Sequence, residues 1–216
     1  MMMGYIECRN LTLQFNRQNK ILDNINIMME KGKIYGFVGR NGCGKTMLFK
    51  TICGFVKPVS GEVIVDNAKI GKDMEYIKNA GVSVGESEFL NHLSGYENLK
   101  LLAEINNKIS DDEVLKVMKE VNLFDEKDKK YKKYSVGMKQ KLRIAQAVME
   151  KNDILILDEP FNGLDRGSVL KIRDYLQNMK KQNKTILLAS HIAEDLEVLC
   201  DHIFEMESGR VINENI

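Results

Sequence analysis

An excess of charge of either sign is missing from this chain. Its 32 basic side chains stand against 31 acidic ones, a formal net charge of +1 over 216 residues. That balance gives no global attraction to nucleic acid or to an anionic membrane. Long apolar runs are missing too: no stretch approaches the roughly 20 residues of a membrane-spanning helix. Met1 to Gly4 lack a signal-peptide pattern. The expectation is a protein soluble by its own sequence, without direct membrane insertion, whose membrane roles require a partner. Cysteine is sparse: Cys8, Cys43, Cys53 and Cys200 show neither metal-ligand spacing nor a dense framework, which fits reduced cytosolic thiols. With no internal repeat and no low-complexity linker, the length suits one domain with a substantial core, or two closely packed lobes.

What is present is ordered periodicity. Ile6, Cys8, Leu11, Leu13 and Phe15 alternate with polar residues, as do Ile25, Ile27 and Met29, so the opening predicts β-strands around a turn at Asn16 to Lys20. A turn at Lys31-Gly32 leads to a short apolar strand, Ile34 to Val38. Short strands are expected at Val63 to Val65 and Gly81 to Val84, with a brief helix at Met74 to Lys78. From there to about residue 150 the pattern is helical. Ser94-Gly95-Tyr96-Glu97 and Ser110-Asp111-Asp112-Glu113 both match the capping box. Asp125 to Lys133 reads as a solvated connection, with a specific basic patch as the alternative. A third helix follows Ser135. Ile154 to Leu157 is an unbroken apolar run, expected of a parallel strand covered on both faces. A helix around Val169 to Met179, a strand Ile186 to Ala189, a helix Ala193 to Leu199 and a closing hairpin complete the pattern. The fold class is α/β, a mostly parallel core with an antiparallel β subdomain and an inserted α-helical subdomain. The core and β subdomain are expected over 1–85 and 151–216, and the helical subdomain over 86–150.

Gly39-Arg40-Asn41-Gly42-Cys43-Gly44-Lys45-Thr46 sits between a strand and a helix, the context in which this spacing is a phosphate-binding P-loop. Its glycines let the backbone wrap so that successive N–H groups form an anion nest. The helix adds its positive N-terminal end, Lys45 adds a full charge, and the Thr46 hydroxyl can ligate magnesium. Asp158 and Glu159 follow the apolar strand, at the sheet edge where ligands of open α/β sheets bind. There Asp158 is placed to hold magnesium and Glu159 to accept a proton from an attacking water. The bland alternatives are a turn that binds nothing and two solvated carboxylates.

Ser135-Val136-Gly137-Met138-Lys139-Gln140 opens a helix and again makes a site suited to an anion at a helix N-terminus. With this segment the chain resembles the ATP-binding cassette (ABC) ATPases, whose fold is a P-loop NTPase core. The resemblance covers nearly the whole chain. It implies ATP and Mg2+ as cofactors, with Ser135 and Gly137 completing the site of a second ABC ATPase subunit. Val136 and Met138 replace the usual glycine and glutamine of that signature. Phe15 takes the place of the aromatic that stacks on adenine, although a half-buried strand residue reads equally well. Asn162 to Asp165 look like the loop through which two nucleotide sites communicate, and His191 like the histidine that contacts the γ-phosphate. Met47 replaces a second hydroxyl residue. Gly85-Glu86 stands where the family has a magnesium-touching glutamine, so either Glu86 substitutes as a ligand or Thr46, Asp158 and waters suffice. Cys43 inside the loop is either a thiolate favoured by the positive field or a small residue chosen for space.

The resemblance implies an ATPase subunit that drives export through a separate integral membrane permease, with a peptide, bacteriocin or antibiotic as cargo. The protein would lie on the cytoplasmic face of the cell membrane through that permease. Regulation of a membrane or assembly partner without transport is the alternative. A role in translation or DNA repair is disfavoured by neutral charge and the single cassette.

Overall fold

Unbroken apolar strands decide the architecture, because a strand with no polar face is stable only when both faces are covered. The computed structural model describes residues 4–16, 19–85 and 88–215. Its elements are β1 (Ile6–Asn16), β2 (Asn19–Met29), β3 (Ile34–Val38), α1 (Lys45–Ile52), β4 (Ser60–Val65), β5 (Ala68–Lys69) and β6 (Ala80–Ser83). Then come α2 (Gly95–Asn106), α3 (Asp111–Glu120), α4 (Val136–Val148), β7 (Ile154–Asp158) and α5 (Arg166–Lys181). The chain closes with β8 (Thr185–Ser190), α6 (Ala193–Glu197), β9 (His202–Glu207) and β10 (Arg210–Asn215).

Two sheets result. β2-β1-β4-β5 is antiparallel, and β10-β9-β3-β8-β7-β6 is parallel except for its β10 edge. Every residue of β8 is buried, as are Ile154 to Leu157 of β7. One face of the parallel sheet packs with α4, α5 and the helical segment through Leu157, Leu188, Leu142 and Ile172. The other meets α1 and the antiparallel sheet through Phe37, Ile156, Leu187, Phe49 and Leu13. Each fully buried Leu or Ile contributes about 1.5–3 kcal/mol. The α4 backbone comes so close to β6 that any side chain at Gly81 would collide with the Ala147 carbonyl.

Both capping boxes form. Ser94 Oγ accepts from Glu97 N at 3.1 Å while Glu97 Oε2 accepts from Ser94 N at 2.6 Å, and Ser110 and Glu113 repeat the exchange. The Ser94 N–H bond holds the Glu97 carboxyl below its ordinary value. A depressed carboxyl stabilises the fold above its unfolded pKa, and that contribution is lost as pH falls through the lower folded value. Ser94→Ala keeps that N–H but removes the Oγ that accepts from Glu97 N, and should cost about 1 kcal/mol, or about 2–4 °C in Tm. The stability carried by the Glu97 carboxylate should fall in both proteins as pH drops below the carboxylate range, which thermal melts across pH will show.

The expected helix at Met74 to Lys78 is not formed. Asp73 Oδ2 accepts from Lys69 N and Ile77 N donates to Cys53 O, which ties the segment into turns. Met74 and Ile77 then pack against the core below α1, a tertiary contact that overrides local helical spacing. The solvated connection after Asp125 contains two short 3-10 turns, Phe124–Glu126 and Tyr131–Lys133.

Candidate functional site

Parallel register brings three strand ends to one edge. Val38 of β3 pairs with Ser190 of β8, and Asp158 of β7 with Ala189. The P-loop leaves β3 at this edge, and the chain beyond β8 supplies His191. Gly42 and Gly44 take φ of 81° and 115°, a left-handed backbone that favours glycine. At Gly39 the constraint is space: an added Cβ would lie 2.3 Å from the Met206 carbonyl oxygen.

Lys45 is 5% exposed and folds back over the loop, donating from Nζ to Gly39 O at 2.5 Å and Arg40 O at 3.4 Å. Its ammonium lies 3.7 Å from Glu159 Oε1, and the other carboxylate oxygen of Glu159 meets His191 Nδ1 at 2.9 Å. Lys45, Glu159 and His191 therefore form one connected group. Thr46 Oγ1 donates to Asp158 Oδ2 at 2.6 Å, while buried Asp158 Oδ1 has no hydrogen-bond partner among the described residues. A buried carboxylate oxygen without a donor is uncommon. A carboxylate and a hydroxyl together suit a hard cation such as Mg2+, so these two residues fit that ion. Glu86, the further candidate ligand, lies outside the described residues. Gly85 before it has φ of 71°, and the Lys50 ammonium lies 3.4 Å from where its Cβ would be. Lys50 thus stands beside the family's glutamine position, a neighbour that sequence spacing does not reveal.

Arg40, Asn41 and Gly42 are exposed, while Cys43 is buried and Met47 half-buried. Met47 packs against the core, and its carbonyl accepts from Thr51 Oγ1 at 2.7 Å. An open cavity of about 560 Å³ lies between Gly39 to Cys43, His191 and the β9–β10 turn at Glu205 to Ser208. Phe15 is 68% exposed, which removes the half-buried alternative. Gln14 pairs with Lys20, and the Ile21 carbonyl lies against Gly44, so Phe15 stands at the hairpin end beside the P-loop.

Ser135 and Gly137 are not drawn into this group. Ser135 caps α4 by accepting from Met138 N at 3.2 Å, and no hydrogen bond among the described residues joins it to the P-loop. Gly137 instead packs on the loop after Glu159, where an added Cβ would lie 2.7 Å from Gly163 O. Asp165 of that loop caps α5, and its bonds from Ser168 hold its carboxyl low. Spacing alone assigns Gln140 no role, yet its amide Nε2 donates to the Glu159 carbonyl at 3.1 Å.

Burial pushes the thiols of Cys8, Cys53 and Cys200 up to about 12, which disfavours their thiolates. Cys43 Sγ lies 4.0 Å from Lys45 Nζ. Saturating ATP should slow modification of Cys43 by a thiol reagent. Labelling followed by peptide mapping checks this; equal rates with and without ATP would contradict the placement.

The sequence pattern of the ABC transporter family matches residues 22–162. The ABC transporter ATP-binding protein YybJ of Bacillus subtilis (strain 168) is 40% identical, covering 95% of this chain and 94% of that protein. The bacitracin transport ATP-binding protein BcrA of Enterococcus faecalis is 38% identical over 99% of this chain and 70% of its own length. The lantibiotic transport ATP-binding protein SrtF of Streptococcus pyogenes is 31% identical over 97% and 90%. A dimeric post-hydrolysis structure of an ATP-binding cassette with ADP and Pi superposes with a TM-score of 0.88 at 22% identity, covering 97% of each chain. That likeness bears on the fold, while the sequence matches decide membership: this chain belongs to the ABC transporter family as an ATP-binding subunit.

Proposed function

We propose that this chain hydrolyses ATP to ADP and phosphate, and that closure of two such subunits around two ATP molecules drives export through a separate membrane permease. The observation that carries the reading is the convergence of Lys45, Glu159 and His191 beside the Thr46–Asp158 pair. Phe15 stacks on adenine, and the Gly39 to Met47 backbone with Lys45 holds the phosphates. Thr46 and Asp158 would hold Mg2+, which when bound neutralises phosphate charge. Glu159 takes a proton as water oxygen bonds to the γ-phosphorus and the bond to ADP breaks. His191 orients Glu159 and contacts the γ-phosphate. Ser135 and Gly137 of the opposite subunit complete each site. Positioning and charge stabilisation supply most of the rate in such a reaction.

No helix among the described residues is long and apolar enough to cross a membrane. Association with the cytoplasmic face of a membrane therefore runs through the permease. Support for its docking comes from exposed Leu90, Leu101 and Ile105. A cavity of about 250 Å³ lined by Phe89, Leu90, Leu101 and Leu102 lies among them. This surface is on the segment 86–150, which we read as the helical subdomain. The names of the bacitracin and lantibiotic relatives favour a peptide antibiotic as cargo. The test is to identify the membrane protein that co-purifies with the chain and reconstitute both in vesicles. Cargo-stimulated ATPase with ATP-dependent movement of cargo supports export. ATP turnover without movement favours regulation of the partner.

A further inference from the structure

We propose that Gln140 is a positioning residue: its amide fixes the main chain of Glu159 and ties the base to the helix that carries Ser135 and Gly137. The proposal rests on the reading of Glu159 as the base. Gln140 is 7% exposed on α4, and Nε2 donates to Glu159 O at 3.1 Å. The backbone it grips is unusual. Glu159 has φ of 50°, a left-handed conformation in which a side chain other than glycine is strained. Strain of this kind persists only where neighbours over-determine it. Here the Glu159 N–H donates to Ala189 O at 2.9 Å, and the Glu159 carbonyl accepts from Asn162 N at 3.3 Å as well as from Gln140. Both peptide groups flanking the side chain are held. The carboxylate that leaves this backbone meets Lys45 at 3.7 Å and His191 at 2.9 Å. Relaxation of the backbone would swing it out of reach of both.

Gln140 also lies little more than one helical turn from Ser135. The same helix packs Gly137 against Gly163, where an added Cβ would lie 2.7 Å from the Gly163 carbonyl oxygen. Lys141 reaches the Asp165 carboxylate at 3.9 Å. One helix thus holds the base of its own chain and presents its N-terminus to the phosphate of the other chain. The Gln140 bond ties the helix that would face the other chain's phosphate to Glu159. A buried glutamine that only satisfies a carbonyl would stabilise the fold without acting through Glu159. The two roles give different results.

Gln140→Met keeps the length of the side chain and removes the donor. In the full-length protein, kcat should fall about tenfold, while KM and the affinity for ATP, read by equilibrium binding, stay within about twofold, since misplacing a catalytic group acts on the chemical step. In a Glu159→Gln background the same substitution should cost no further turnover, because groups acting as a unit are non-additive. Equal losses in both backgrounds overturn the proposal, as does wild-type kcat in Gln140→Met or a loss of ATP binding. Gln140→Leu also removes the donor without adding a charge, and takes the same readouts if the Met variant aggregates. Near-normal hydrolysis in Glu159→Gln alone would refute the base assignment instead, so the two failures are told apart.

Discussion

Glu159→Gln should bind ATP with affinity close to that of the unsubstituted chain and turn it over at least about a hundredfold more slowly, roughly 3 kcal/mol in barrier. The amide keeps the size of the carboxylate and can still meet His191, whose Nδ1 lies 2.9 Å from Glu159 Oε2. It cannot take a proton from water. In the proposed reading binding depends on other groups, the P-loop amides, Lys45 and Phe15, so affinity and turnover should separate in this variant. Nucleotide binding measured beside phosphate release checks both halves. Hydrolysis near the normal rate would remove Glu159 from the role of base.

Lys45→Ala should act on the opposite quantity. The Lys45 ammonium is buried, and among the described residues it meets the loop carbonyls of Gly39 and Arg40, the Cys43 sulfur and the Glu159 carboxylate. A phosphate chain adds a multiply charged partner to those neutral acceptors and the one carboxylate, which lies at 3.7 Å. A hydrogen bond to a charged group contributes about 1.5–3 kcal/mol, so ATP affinity should drop by about 10–150-fold. Removing the cation also leaves Glu159 without its nearest positive neighbour, so turnover at saturating ATP should fall as well. Titration calorimetry with ATP reads the first effect; unchanged affinity would contradict the P-loop placement.

The parts of the fold that were legible rest on local physics. The apolar run Ile154 to Leu157 could only be a strand covered on both faces, and it is the buried β7. Ser94 and Ser110 reveal helix starts because a capping box is complete within four residues. The P-loop declares itself by spacing between a strand and a helix. The failures share a different cause. Met74 to Lys78 has helical spacing, but Ile77 is held by the Cys53 carbonyl, a partner far back in the chain. Gln140 looked like any helical polar residue, and only tertiary packing brings it to Glu159, 19 residues on. Lys50 beside Gly85 is hidden for the same reason. Phe15 sits between: alternation made it a strand residue, and only its exposure separates a stacking platform from a packed side chain.

Within one chain, Ser135 and the N-terminus of α4 are exposed and make no hydrogen bond to the P-loop among the described residues. The phosphate proposed to meet them belongs to a second subunit. The direct test is the mass of the Glu159→Gln protein in solution, measured by light scattering with and without Mg-ATP. Slow turnover in this variant preserves the closed state long enough to weigh it. We expect twice the chain mass with ATP, the single-chain mass without it, and the single-chain mass with ATP when Ser135→Arg is added. A single-chain mass at saturating ATP, or a dimer indifferent to both ATP and Ser135, would contradict a site shared between two subunits.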